Sequence, residues 1–180
     1  SRFEKELSNV YKIWLEYLNP YWSENPWSRA LEGKKVLVVH PFVDSIQKQY
    51  KKRAFLHKHP QTLPDFDLKT IKAVQGIGGV CNEGFKDWFD AFEYMKAEIN
   101  KSNYDICILG CGAYGFPLAA HVKRMGKKAI HMGGATQMLF GIKGKRWEDE
   151  YGEFMNEHWI RPSKEETPIN AMKIENGCYW

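Results

Sequence analysis

Gly110, Gly112 and Gly115 spell G-x-G-x-x-G within Tyr104-Asp105-Ile106-Cys107-Ile108-Leu109-Gly110-Cys111-Gly112-Ala113-Tyr114-Gly115. An apolar strand running directly into such a turn and then a helix lets backbone N–H groups and a helix N-terminus come close to an anion. The predicted chemistry is phosphate or nucleotide binding, with Cys111, Ala113 and Tyr114 carried in the same turn. The plain alternative is a tight turn that lets helix and strand pack closely. A nicotinamide dinucleotide would need an acid at the end of the next strand to hold its ribose, and His131 to Gly134 occupy that place.

A second group follows that strand: His131-Met132-Gly133-Gly134-Ala135-Thr136-Gln137, then Lys143, Lys145 and Arg146. Paired glycines, the Gln137 amide and three cations suit a diphosphate or a sugar, with Arg146 favouring bidentate contact. A solvated basic loop is the competing reading. His40 ends an earlier strand, and strand ends of a parallel sheet meet at one edge, so His40 and His131 are expected to converge as ligand contacts or, for His40, as a general base. Cys111 is the one thiol placed like a nucleophile, although a small residue in a tight turn explains it better. Asp65-Phe66-Asp67 has the D-x-D form that can hold a divalent ion, but it precedes a strand and so falls at the edge away from the glycine loops. No metal ligand is assigned, and no catalytic residue is fixed.

The elements that must position these groups alternate. Phe3, Leu7, Val10, Tyr11, Trp14, Leu15 and Leu18 recur at three and four, predicting an amphipathic helix that Pro20 ends. Lys34 to Phe42 reads as a doubly buried strand, and a helix follows from about Asp44 to Lys58, capped by Asp44 or Ser45. Leu68 to Gln75 reads as a second strand, closed by Gly76, Gly78 and Gly79. Trp88, Phe89, Phe92, Met95 and Ile99 form a helical stripe. The helix after Gly115 runs to Met125, and Lys127 to His131 is the last strand. Strand and helix in alternation imply right-handed βαβ units. The expected fold is α/β: a Rossmann-like three-layer domain with a mostly parallel sheet of about four to five strands. An N-terminal helical segment (1–32) packs on the core (33–147), and an irregular tail (148–180) wraps it.

Composition narrows the class. At 180 residues and net charge +4 the chain is one domain long, with its basic residues scattered, whereas nucleic-acid binders concentrate a far stronger basic stripe. No nucleic-acid partner is expected. Cys81, Cys107, Cys111 and Cys178 lack CxxC or zinc-like spacing, which disfavours structural zinc and a disulfide framework. No signal peptide or membrane-length apolar run appears, so a cytoplasmic protein is expected. The chain opens Ser1-Arg2-Phe3 without an initiator Met, as a chain trimmed of upstream sequence would. Seven Trp, nine Tyr and ten Phe point first to core packing, then to a sugar-stacking or partner surface, including a homo-oligomer.

From Gly33 to Trp147, and most of all at Ile108 to Gly115 and His131-Met132-Gly133-Gly134, the chain resembles bacterial proteins encoded among polysaccharide-biosynthesis genes. Through them it resembles the GT-D-type glycosyltransferases. That resemblance implies a Rossmann-like domain binding a nucleotide-diphosphate sugar, with or without a divalent cation, alongside other polysaccharide-synthesis proteins. It departs at one place: the acidic D-x-E-type motif near the domain start has only Glu4-Lys5-Glu6 to answer it. Neither a metal site nor a catalytic base carries over. A non-catalytic nucleotide- or sugar-binding module on the same fold is the alternative expectation.

Overall fold

The computed structural model describes residues 8–77, 80–81 and 84–180. Its centre is a four-stranded sheet in which every pairing is parallel: β1 (Lys35–His40), β2 (Asp67–Lys72), β5 (Ile106–Leu109) and β6 (Lys128–His131), in the order β2-β1-β5-β6. A hairpin with strands of two residues each, β3 (Gly76–Ile77) and β4 (Val80–Cys81), forms a separate sheet. Gly78 and Gly79 lie outside the described residues, as do Phe3 to Leu7.

Alternation along the strands builds two cores. Val36, Val38, Ile106 and Ile108 point to one face, where α1 (Val43–Tyr50), α4 (Ala135–Leu139) and α5 (Lys145–Tyr151) contribute Ile46, Leu139 and Trp147. Leu37, Val39, Cys107 and Leu109 point to the other, against Met95 and Ile99 of α2 (Trp88–Lys101) and Leu118 and Val122 of α3 (Gly115–Arg124). A strand buried on both faces must be apolar where it is covered, and β1 is so from Val36 to Val39 and β5 along its whole length. The result is the three-layer α/β, Rossmann-like architecture.

Three expectations are corrected. The N-terminal stripe does not form a helix over its described part: residues 11–14 are irregular, and only Leu15–Leu18 make a 3₁₀ turn. Tyr11, Trp14 and Leu15 are exposed, and a stripe with no surface to pack on lacks the tertiary support that sustains most helices. The helix after β1 ends at Tyr50 instead of near Lys58. The chain leaves it so that Leu56 becomes fully buried and its carbonyl accepts from Trp159 Nε1 at 2.7 Å. Neither Asp44 nor Ser45 caps α1 through its side chain, because Phe42 holds the N-cap position. A carboxylate from the distant residue Glu166 accepts from the Asp44 and Ser45 amides instead, at 2.9 and 3.1 Å.

No helix among the described residues is long and apolar enough to cross a membrane.

Candidate functional site

From β1 the chain turns outward through α1 to β2, and from β5 it turns the other way through α3 to β6. The carboxyl ends of β1 and β5 therefore flank the point where strand order reverses, the place at which open α/β sheets bind ligands. A cavity of about 590 Å³ opens there, lined by His40 at the end of β1, by Pro41 and Phe42 after it, and by Gly110 to Tyr114 after β5. Ala73 to Gly76 and Lys86 to Trp88 form another side, and Gly134, Gln137, Ile174, Tyr179 and Trp180 complete it. This volume is that of a small-molecule site.

The turn after β5 is shaped by two glycines. Gly112 has φ +55°, a conformation that disfavours a side chain, and a Cβ there would project into open space. Gly110 is needed for close approach: a Cβ would lie 2.5 Å from His40 Cδ2 and 2.6 Å from Thr136 Oγ1. The 3₁₀ turn Gly112–Tyr114 opens with the amides of Gly112 and Ala113, which donate to no acceptor among the described residues. Two orphan donors at the mouth of a cavity are a ready anion contact.

His40 is 2% exposed, and its Nδ1 accepts from the Phe42 amide at 3.0 Å. That bond leaves the ring proton on Nε2. Burial pushes the imidazole down to about 3, so His40 stays neutral and is a poor base at neutral pH. In this state it can act as a hydrogen-bond donor through Nε2, which is the ligand-contact alternative of the two expected for it. Cys111 lines the same turn, but burial holds its thiol up at about 12; it is a small packed residue and not a nucleophile.

The two strand-end histidines do not converge. β5 lies between their strands, and His131 packs over Gly115, leaving no room for a Cβ there, with Nδ1 3.2 Å from the Leu109 carbonyl. His131, Gly115 and Gly133 lie outside the cavity lining. So do Lys143, Lys145 and Arg146. The Arg146 guanidinium pairs with Glu175, donates to Tyr179 Oη at 3.1 Å and lies over the Tyr179 ring. Gln137 borders the cavity, yet its Nε2 donates to the Lys143 and Tyr179 carbonyls, each at 3.1 Å. Both residues hold the tail in place.

Of the expected residues, His40, Gly110, Cys111, Gly112, Ala113, Tyr114, Gly134 and Gln137 do gather at the cavity. Lys86, Asp87, Trp88, Tyr179 and Trp180 were not anticipated. The signals for Asp87 and Trp88 were present, since Asp87 precedes a helical stripe and its Oδ1 caps α2 by accepting from the Asp90 amide at 3.0 Å. Trp88 stacks on both Tyr114 and Phe92, at ring separations of 5.0 and 5.1 Å. The tail residues carried no local signal.

Asp87 is the cavity lining's one carboxylate among the described residues, and no three His, Cys, Asp or Glu side chains among those residues gather as metal ligands. Asp65 pairs with Arg53 at 2.7 Å, and Asp67 begins β2, at the edge opposite the cavity.

The chain matches no protein-family model, no curated protein and no solved structure.

Proposed function

We propose that this domain binds a nucleotide-diphosphate sugar in the cavity between the ends of β1 and β5, as part of glycosyl transfer in bacterial surface-polysaccharide synthesis. One observation carries the reading: Gly112 and Ala113, whose amides have no acceptor among the described residues, line a cavity at the strand-order switch point. There the amides meet the diphosphate, Lys86 adds the lining's one cation among the described residues, and His40 Nε2–H donates to a ligand oxygen. Donors preset in a partly dry site stabilise the charge that develops on a departing diphosphate.

A second reading has its own support. Activation of an acceptor hydroxyl needs a base, yet Asp87 is engaged as a helix cap and His40 stays neutral with its proton on Nε2. These features favour a non-catalytic module that binds the same ligand for assembly.

Calorimetric titration with UDP- and GDP-sugars, with and without Mn²⁺, tests both. Dissociation constants within roughly 1 μM to 1 mM, the usual range for substrates, are expected. They are abolished by Ala113→Trp, which fills the cavity from an exposed position. Turnover with a saccharide acceptor supports the transferase, and binding without turnover supports the module. Heat-silent titrations at millimolar ligand for every nucleotide sugar would refute both.

A further inference from the structure

The tail is tied to the start of α1 by one buried carboxylate. Glu166 is 4% exposed, and its Oε1 accepts from the Asp44 and Ser45 amides. Its Oε2 accepts from Ser45 Oγ and, at 3.3 Å, from the Ser163 amide. A buried carboxylate so fully satisfied is a firm anchor, because every lost bond would leave charge without compensation. The same residue's carbonyl accepts from Trp180 Nε1 at 3.1 Å. Glu166 thus joins two parts of the cavity wall: the β1–α1 connection and Trp180.

The ring of Trp180 differs from the cavity's other tryptophan in what covers it. Trp88 is stacked by two rings lying at 3° and 10° to its own plane. Trp180 meets Phe42 and Tyr179 edge-on, at 68° and 88°. No ring among the described residues stacks on its face. The lining therefore pairs the Gly112 and Ala113 amides with the half-buried Trp180, on which no ring among the described residues stacks. That combination fits a flat ring joined to a charged group, and aromatic faces accept bases of any sequence through their π-surface.

We infer that Trp180 is a ligand-binding residue of this site, stacking on the base of the nucleotide, and that Glu166 is the positioning residue that holds it there. The inference rests on the nucleotide-sugar reading for the identity of the ring, while the anchoring by Glu166 stands apart from it.

The experiment uses the whole chain and three variants, Trp180→Leu, Trp180→Phe and Glu166→Gln, titrated with UDP-glucose and GDP-mannose. Exchange of the Trp180 indole N–H and the Ser45 amide is followed by nitrogen-15 NMR. Trp180→Leu is expected to weaken binding at least about tenfold, within the range of one lost stacking contact. Trp180→Phe restores most of it, a rescue that a merely structural role would not show. Glu166→Gln is expected to speed exchange at both reporters about tenfold or more, with α2 amides unchanged, and to weaken binding in step. Wild-type affinity in Trp180→Leu would overturn the stacking role, and wild-type exchange in Glu166→Gln would overturn the positioning role. If the wild-type chain binds neither nucleotide sugar, the proposed ligand and base stacking fall together, and the exchange data alone decide the anchor.

Discussion

His40 and Gly110 meet across the β1–β5 pair so closely that one methyl group on Gly110 would stand 2.5 Å from the imidazole Cδ2. The ring cannot easily retreat, because Nδ1 is held by the Phe42 amide and Phe42 packs against it at 4.9 Å between centroids. The same methyl would stand 2.6 Å from Oγ1 of Thr136, which is fully buried. Gly110→Ala is therefore expected to destabilise the fold by roughly 1–3 kcal/mol, the usual cost of overpacking a core. Urea unfolding reads this directly, and an unchanged midpoint would mean that the ring swings aside freely.

The same histidine gives stability a pH dependence of known sign. Its folded value of about 3 lies below the ordinary 6.5, so between these two values the unfolded chain binds the extra proton. Stability is thus full above pH 6.5 and falls as pH drops toward 3. Between pH 7.5 and pH 5 this one group should remove about 2 kcal/mol, at 1.36 kcal/mol per unit of separation. His57, which burial also pushes down, acts in the same direction and remains in both proteins when wild type is compared with His40→Gln. The variant should lose about 2 kcal/mol less than wild type over that interval; equal losses would place His40 in contact with water.

Cys111 should be chemically quiet. Burial holds its thiol up at about 12, so at pH 8 only about one molecule in ten thousand carries the reactive thiolate. Native protein treated with iodoacetamide and analysed by mass spectrometry is expected to stay unmodified at Cys111, with full labelling after denaturation in urea. Rapid native labelling at this position would contradict the packed turn.

How much of this was legible depends on how local the cause is. β1 and β5 showed themselves because burial on both faces demands unbroken apolar runs, and the glycine turn showed itself because Gly112 answers a backbone need at that one position. The N-terminal stripe misled: Val10, Tyr11, Trp14 and Leu15 have helical spacing but are exposed, and spacing says nothing about whether a packing surface exists. The tail was invisible for the opposite reason. Glu166 reaches the amide of Ser45, 121 positions away, and Gln137 reaches the carbonyl of Tyr179, 42 positions away. No periodicity encodes such a bond. Arg146 and Gln137 were expected as ligand contacts, and the partner they hold in the structure is the chain's own Tyr179.

That distinction can be measured at Gln137. Were it a ligand contact only, Gln137→Ala would weaken binding and leave the fold as stable as before. Its Nε2 instead donates to the carbonyls of Lys143 and Tyr179, and more weakly to that of Ile142 at 3.4 Å, from a position 1% exposed. Removing the amide leaves buried carbonyls without a donor, at about 1–3 kcal/mol for an unsatisfied group, and opens a void as well. Gln137→Ala is therefore expected to lower the urea midpoint and to speed exchange of the Trp180 indole N–H, because Tyr179 loses the bond that seats it beside Gly134. Gln137→Glu keeps the shape but exchanges the donor for an acceptor facing carbonyls, and it should be more destabilising than the alanine at neutral pH. A stable Gln137→Glu protein whose Tyr179 and Trp180 keep wild-type exchange rates would show that the tail is seated without the Gln137 amide.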